Sequence, residues 1–346
     1  MLAGGQGTRL RPLTLDRPKP IVPLLNVPFL AYQLALLHRH GVTDVVLSCS
    51  YMVDAVRAAM GDGAAWGVRL SYAVEAEPLG TGGGVRNAAD PGPGLILVLN
   101  GDVLTDADLT AMLAFHAERA AAISIYLTRV ADPTQYGLVE TDARGRIQAF
   151  TEKPDPARVT TDTVNAGAYL IARPLLARIA LDRPVSIERE FFPVLVAEGV
   201  PCYGWVSAGY WLDIGNPAKY RQAQLDLLAG RVRNPVAPAG DRALPPDVAA
   251  APDAAVVPPV AVGPGSRLEA GARVGPDTVL GRDCVVGAGA RVAGAVAWEE
   301  VEIGPGATVT DCVVGARVRI GRGARVGPGV VLESGRTVPD GARLTA

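Results

Sequence analysis

Lysine is one of the two residues this chain uses least. Only three of its 33 basic residues are lysines, Lys19, Lys153 and Lys219. Arginine therefore serves wherever charge alone is enough, and the positions that keep a compact, mobile ammonium become informative. Histidine is equally scarce, at His38, His40 and His116, with none beyond residue 120; all three fall in helical stretches and read as dipole partners rather than catalysts. The four cysteines, Cys49, Cys202, Cys284 and Cys312, are widely spread and form no C-x-x-C pair. That excludes a cysteine zinc site and a disulfide framework, and it fits a reducing, cytoplasmic compartment. No apolar run approaches about 18 residues and no basic-then-apolar leader pattern opens the chain, so a soluble protein with no membrane partner is expected. A net charge of −2 excludes the basic surface of a nucleic-acid binder.

What the chain does have is length and glycine. At 346 residues it exceeds the size at which one core usually stops growing, and two domains are expected. Leu2-Ala3-Gly4-Gly5-Gln6-Gly7-Thr8-Arg9-Leu10-Arg11-Pro12-Leu13-Thr14, closed by Pro18-Lys19-Pro20, sets three glycines in four positions beside a fixed and a mobile positive charge. Glycine lets backbone approach a ligand closely, so the stretch reads as a polyphosphate cradle. No Lys-Ser/Thr follows the glycines, and their spacing is not that of a dinucleotide fingerprint. Such a loop should follow a buried parallel strand and feed a helix. Here only Met1, Leu2 and Ala3 precede Gly4, against about five or six residues in a typical strand; the start of that strand is expected to be missing and the strand weakened.

Downstream, Phe29 to His40 has helical periodicity ended by Gly41, Asp44 to Cys49 reads as a buried strand, Val53 to Met60 as a helix and Val68 to Val74 as a strand. This alternation predicts a Rossmann-like, doubly wound, mainly parallel α/β sheet. Open sheets of this kind take ligands at strand ends. Glu75-Ala76-Glu77-Pro78-Leu79-Gly80-Thr81 and the following glycines lie at one such end, and Asn100-Gly101-Asp102 follows the apolar strand Leu95 to Leu99. A carboxylate there suits Mg²⁺, which favours one or two carboxylates with phosphate oxygens and water. Glu75 and Glu77 offer acceptors only, and either could take a pair of N–H donors. Asp106 and Asp108 read as caps of a helix from Leu109. Ser186 to Pro193 reads as a capped helix start.

Residues 230–261 are rich in proline and alanine and read as a linker between a domain over 1–229 and a repeat region over 262–346. In the repeat region aliphatics recur every six residues from Val262 through Leu268, Val274, Leu280, Val286 and Val292, then Ile303 and Val309, then Val314 to Leu344. A hexapeptide period means short strands stacked into a parallel β-helix with aliphatics inward and small residues at the corners. Two slips of the period match each other and set Ala297 where Val314 stands in the second copy.

Taken together, these motifs resemble those of the sugar-1-phosphate nucleotidyltransferases, and the layout is most similar to the mannose-1-phosphate guanylyltransferases. The likeness covers essentially the whole chain. By resemblance to hexapeptide-repeat proteins the β-helix is left-handed and joins subunits into a homo-oligomer; with no His in it, an acyl-transfer activity of the usual kind is not expected. The resemblance implies transfer of a nucleotidyl group from an NTP to a sugar 1-phosphate, giving NDP-sugar and pyrophosphate. It assigns Leu2, Ala3, Gly4, Gly5, Gly7, Thr8, Glu75, Pro78, Gly80, Thr81, Asn100 and Gly101 to the nucleotide, with GTP favoured, and Arg9 and Lys19 to the phosphates that react. Gly137, Glu152, Lys153 and Asn165 go to the sugar phosphate, and Asp102 and Asp213 to Mg²⁺. Asp213 lies among apolar residues, where an unpaired carboxylate would be costly, and a shared metal is expected to offset that cost. The alternatives are a thymidylyl- or uridylyltransferase acting on glucose 1-phosphate, and a non-catalytic regulatory subunit.

Overall fold

The computed structural model describes residues 1–233, 236 and 244–346. The chain forms two compact units, one of Met1–Gly5 with Gln33–Trp211 and one of Gln6–Tyr32 with Leu212–Ala346.

The first unit is built on a sheet. Helices α1 (Phe29–Arg39), α2 (Val53–Met60), α3 (Gly80–Ala88) and α4 (Leu109–Glu118) alternate with strands Asp44–Cys49, Arg69–Val74, Leu95–Leu99 and Ile123–Arg129; the periodicity predicts all of these but α3, whose glycines read only as a ligand-facing segment. Asp44–Cys49 pairs in parallel with Arg69–Val74, and Ile123–Arg129 with Cys202–Val206. Thr163–Ala172 runs antiparallel to both Leu95–Leu99 and Ile123–Arg129, and Gly137–Thr141 pairs antiparallel with Ile147–Glu152. Thr163–Ala172 also carries a register break between Asn165 and Tyr169. A bulge of this kind bends a strand and re-aims its side chains.

The short start of the chain is fully used. Leu2 donates to Leu99 O (2.8 Å) and accepts from Gly101 N (2.7 Å), while Ala3 donates to Ser48 O (2.8 Å) and Ser48 donates to Met1 O (2.9 Å). Leu2 thus bridges in parallel to both Ser48 and Asn100. The three residues complete the sheet between Asp44–Cys49 and Leu95–Leu99.

In the second unit the glycine loop does not feed an α-helix, contrary to expectation. Gly7 takes a left-handed conformation (φ 61°) and is followed by a 3-10 turn, Thr8–Leu10. Leu10 and Leu13 are buried below it, and a two-stranded ribbon, Pro23–Leu24 with Val27–Pro28, leads into α1. The sequence from Gly7 to Leu13 cannot run as a helix because Pro12 lacks the N–H and sits where a helical bond would form.

The rest of this unit is helix α6 (Pro217–Leu228) and the parallel β-solenoid, with two six-stranded sheets and one of five. The first rungs come earlier than the hexapeptide period shows. Ala249–Ala250 pairs with Arg267–Leu268, and Ala255–Val256 with Arg273–Val274, so part of the stretch read as linker is solenoid; alanine and proline there hide the aliphatic period. The two slips are accommodated as expected, with Ala297 in register between Leu280 and Val314. Aliphatics at the inward positions form one continuous core. Val279, Val296 and Val313 point the other way, yet are at most 2% exposed, so the outer face of that sheet is covered too. Leu280 has no exposed surface, and Leu280→Ala is expected to cost about 2–5 kcal/mol, read as a lower denaturant midpoint in equilibrium unfolding followed by circular dichroism.

Candidate active site

In the first unit, glycine positions mark where backbone and side chains converge. A Cβ on Gly101 would lie 2.5 Å from Leu2 O, and one on Gly84 2.9 Å from Glu75 Oε1. Ser50 Oγ donates to Gly4 O (2.8 Å). Gly5 has open space around it, as a residue facing a ligand would. The Glu75 carboxylate is 7% exposed and accepts from Ser48 Oγ (2.7 Å) on one oxygen and Leu79 N (3.0 Å) on the other. These bonds orient it and leave each oxygen a second acceptor direction. The glycines of Leu79–Gly84 have a reason other than closeness to a base: a Cβ on Gly80, whose φ is 72°, would lie 2.6 Å from Val185 O, and Gly82 N donates to that same oxygen (2.8 Å).

Asn100 and Asn165 meet on one hydroxyl. Both side-chain amides donate to Tyr169 Oη, at 3.3 and 2.9 Å, and Asn165 Oδ1 accepts from Gly167 N (3.0 Å) across the bulge. Tyr169 is fully buried, and burial first, then the Glu188 carboxylate, raises its pKa well above the ordinary value. Its hydroxyl donates to Glu188 Oε1 (3.4 Å), and Glu188 Oε2 accepts from Thr81 Oγ1 (2.7 Å) and Ser186 Oγ (3.0 Å). Thr81, Asn100 and Asn165 therefore belong to one hydrogen-bonded chain.

Glu188 is the residue the sequence reading missed. It lies in Ile187–Phe191, a π-helical turn ahead of α5 (Phe192–Ala197), with Ser186 capping the turn through Arg189 N. Glu190 returns a bond to Ser186 N (3.0 Å), so the reciprocal acid stands four residues after the cap instead of three. That extra residue was the available signal; π turns concentrate at functional sites.

Glu152 lies over Gly137, its strand partner: a Cβ there would be 2.8 Å from Glu152 Oε2. Lys153 follows in the left-handed region (φ 50°). A non-glycine residue in that region is strained, and such strain persists where surrounding structure imposes it, often at functional sites. Here Lys153 N donates to Tyr136 O (3.0 Å).

The second unit holds Gly7, Thr8, Arg9, Lys19 and Asp213. Thr14 Oγ1 donates to Gly7 O (2.8 Å) and fixes the loop. Arg9 and Asp213 face the same glycine: a Cβ on Gly215 would lie 2.9 Å from Asp213 Oδ2 and 3.3 Å from Arg9 Nη1. Asp213 is not an unpaired carboxylate, which corrects the argument made for it from sequence. Lys219 Nζ sits 3.0 Å from its Oδ2, on the first turn of α6, which Asn216 caps through Lys219 N (2.9 Å). The third lysine thus also lies beside a candidate residue.

Each unit offers hard oxygens of a kind that suits a divalent cation. In the first, Asp102 is half-exposed at its strand tip and the buried Asn100 Oδ1 accepts no hydrogen bond; in the second, Asp213 carries Lys219 on its Oδ2. Among the described residues no three His, Cys, Asp or Glu side chains cluster as a closed metal cage. One or two such carboxylates suit Mg²⁺, which takes its other ligands from phosphate and water. A groove of about 510 Å³ beside Met1 is lined mainly by apolar side chains, among them Val46, Val85, Leu95, Leu97 and Leu113; its polar lining is His40, Asp44 and Thr110, with no lysine or arginine to answer phosphate charge.

Residues 1–230 match the family described as nucleotidyl transferase. The chain belongs to the nucleotidyl transferase family. Residues 256–345 match the GMPPB C-terminal domain. The mannose-1-phosphate guanylyltransferase of Mycobacterium tuberculosis is 44% identical over 238 residues, which is 68% of this chain and 66% of that protein. The mannose-1-phosphate guanyltransferase beta-B of Xenopus laevis is 40% identical over 64% of this chain and 61% of its own length; the match thus spans just under two thirds of these relatives. Among solved structures, HddC from Yersinia pseudotuberculosis has a TM-score of 0.55 at 28% identity, over 64% of this chain and 96% of that one. Every candidate residue of this nucleotidyl transferase, from Leu2 to Asp213, lies inside the matched 1–230. No helix among the described residues is long and apolar enough to cross a membrane.

Burial first, then the nearby Glu188 charge, raises the Glu152 pKa above its ordinary 4.5, against Lys153 and Arg189. The folded state then holds this proton more tightly than the unfolded chain, so its contribution is present at low pH and is lost as pH rises from about 4.5 through the raised value. Glu152→Gln, which cannot ionise, is expected to raise Tm over the parent above that window and to lose this advantage below it. Thermal melts across pH check this; a Tm difference independent of pH would contradict it.

Proposed function

We propose that this chain is a mannose-1-phosphate guanylyltransferase, forming GDP-mannose and pyrophosphate from GTP and mannose 1-phosphate. The observation that carries the reading is that relatives of that name from Mycobacterium tuberculosis, Arabidopsis thaliana and Xenopus tropicalis are 39–44% identical over 229–238 residues, while every candidate residue falls within the residues 1–230 that match the family. HddC, which has been solved with GMP-PN, is 29% identical with a TM-score of 0.53.

The reaction is an in-line attack by a sugar-phosphate oxygen on the α-phosphorus of the NTP. It needs no protein nucleophile, so the protein's work is positioning and charge neutralisation. In this reading Arg9 and the loop amides of Gly4 to Thr8 hold the β- and γ-phosphates. Lys19 neutralises charge that develops between the α-phosphate and the departing pyrophosphate. Lys153 pairs with the sugar phosphate, its strained backbone fixing where the ammonium starts, while Glu152 and Asn165 accept from and donate to the sugar. Asp102 and Asp213 would hold Mg²⁺, which supplies positive charge to the phosphates when bound. Lys219, 3.0 Å from Asp213 Oδ2, holds that carboxylate in place. Glu75, oriented by Ser48 and the Leu79 N–H, accepts from the guanine edge.

Pyrophosphate release over a matrix of GTP, ATP, UTP and dTTP against mannose, glucose and other hexose 1-phosphates tests the reading, with GTP and mannose 1-phosphate expected to react fastest; faster turnover of UTP or dTTP with glucose 1-phosphate would overturn it. Glu75→Gln replaces a charged acceptor by a neutral amide and is expected to reduce the preference for GTP over UTP by about ten- to a hundred-fold, the range of a charged hydrogen bond. Steady-state kinetics with each NTP measures it.

A further inference from the structure

Trp298 and Glu299 are residues of the solenoid with no part in the chemistry above, yet their side chains are committed to the loop that carries Lys19. All the groups concerned belong to the second unit. The Arg17 guanidinium lies over the Trp298 ring, 4.7 Å from its centroid. Both its terminal nitrogens donate to Glu299, Nη1 to Oε2 at 3.3 Å and Nη2 to Oε1. Burial pushes the Glu299 carboxyl up, but the Arg17 bonds and charge outweigh it and hold the group below its ordinary value. This pair is therefore a desolvated, bidentate ion pair rather than a surface contact, the kind that carries geometric specificity.

The same indole works in a second direction. Trp298 Nε1 donates to Tyr220 Oη (2.8 Å) on α6, and Tyr220 Oη donates in turn to Pro23 O. Gln224, one turn on, donates to Pro23 O (2.7 Å) and accepts from Leu25 N (2.8 Å). One solenoid side chain thus fixes the loop at Arg17 directly and at Pro23 through Tyr220. Lys19 lies between those two points, with Pro18 and Pro20 buried on either side of it. Trp298 is itself 1% exposed and cannot shift without disturbing both ends.

If the solenoid needed only to cover the apolar outer face of its Val279–Val313 sheet, aliphatic side chains would serve. Here instead a ring face, an indole N–H and a carboxylate are aimed at the two ends of the segment that carries one of three lysines. We propose that Trp298 and Glu299 are positioning residues for the nucleotide-phosphate half of the site, acting on Lys19 through Arg17 and Pro23. This rests on the role given to Lys19 above and adds to it a function for the solenoid.

The test separates nucleotide from sugar phosphate. Glu299→Gln keeps a side chain of the same size and removes the charge; Trp298→Phe keeps a ring face and removes the N–H. Each is expected to lower kcat/KM for the NTP about ten-fold or more, the cost of a charge-assisted hydrogen bond, with KM for the sugar phosphate unchanged within two-fold. Arg17→Gln combined with Glu299→Gln is expected to cost no more than either alone. Equal losses for both substrates, additive losses in the double variant, or no loss at all would overturn the proposal. Should Trp298→Phe fail to fold, Glu299→Gln and the Arg17 cycle decide. Equilibrium binding of GTP, by calorimetry, is run on the same proteins: if the parent binds GTP but turns over no sugar phosphate, the substrate assignment fails while weaker GTP binding by Glu299→Gln still supports the positioning role, and undiminished binding overturns it.

Discussion

Four backbone hydrogen bonds to Met1, Leu2 and Ala3 hold the chain's first residues between two parallel strands, and the candidate site of the first unit depends on them. Parallel strands deliver their carboxyl ends to one edge of a sheet. With Leu2 pinned to Ser48 on one side and Asn100 on the other, Gly4 emerges at the same edge as Glu75 and Asn100. The glycine at 101 is a consequence of this closeness, since a Cβ there would meet Leu2 O at 2.5 Å.

Much of this was legible in the sequence, and for physical reasons. Helices α1, α2 and α4 and the strands from Asp44 and Leu95 carry strong apolar patterns, ended by glycine or capped by aspartate as Asp108 does through Ala111 N. The solenoid's inward positions repeat, and even its two slips repeat, so Ala297 could be set beside Val314 before any coordinates. Where apolar identity was lost the reading failed: alanines at 249, 250 and 255 make real rungs but carry no aliphatic signal. The loop after Gly7 was expected to enter a helix by analogy with other phosphate loops, and Pro12 prevents it.

The misses in the site are of another kind. Glu188 reaches Thr81 and Tyr169 from a π turn, whose mark in the sequence is that Glu190, the acid answering the Ser186 cap, stands four residues on instead of three, a one-residue difference that the capped-helix reading passed over. The partner of Asp213 was hidden differently. Lys219 is six residues on, a spacing that joins no two residues within one strand or helix; it works because a strand end, a glycine and a capped helix start fold the chain back on itself. The electrostatic logic was right that a nearly buried carboxylate must be compensated. It was incomplete in naming only a metal for the purpose, since an ammonium on the first turn of α6 already does so.

This pairing also clarifies why lysine is so rarely used here. Lys219 answers a buried carboxylate and Lys153 sits on a strained backbone. Lys19 lies between prolines in a loop held at both sides by the solenoid and α6. At each position the backbone is fixed first, by a cap, by a left-handed turn or by the Arg17 and Pro23 anchors, and a flexible four-carbon stem then delivers a point charge from it. Arginine would bring a larger planar group with directional needs of its own. In the Arg17–Glu299 pair the requirement is the reverse: there the fork geometry is what holds the loop, and arginine is the residue found. The division of labour between the two cations follows from whether a site must be held or must be reached.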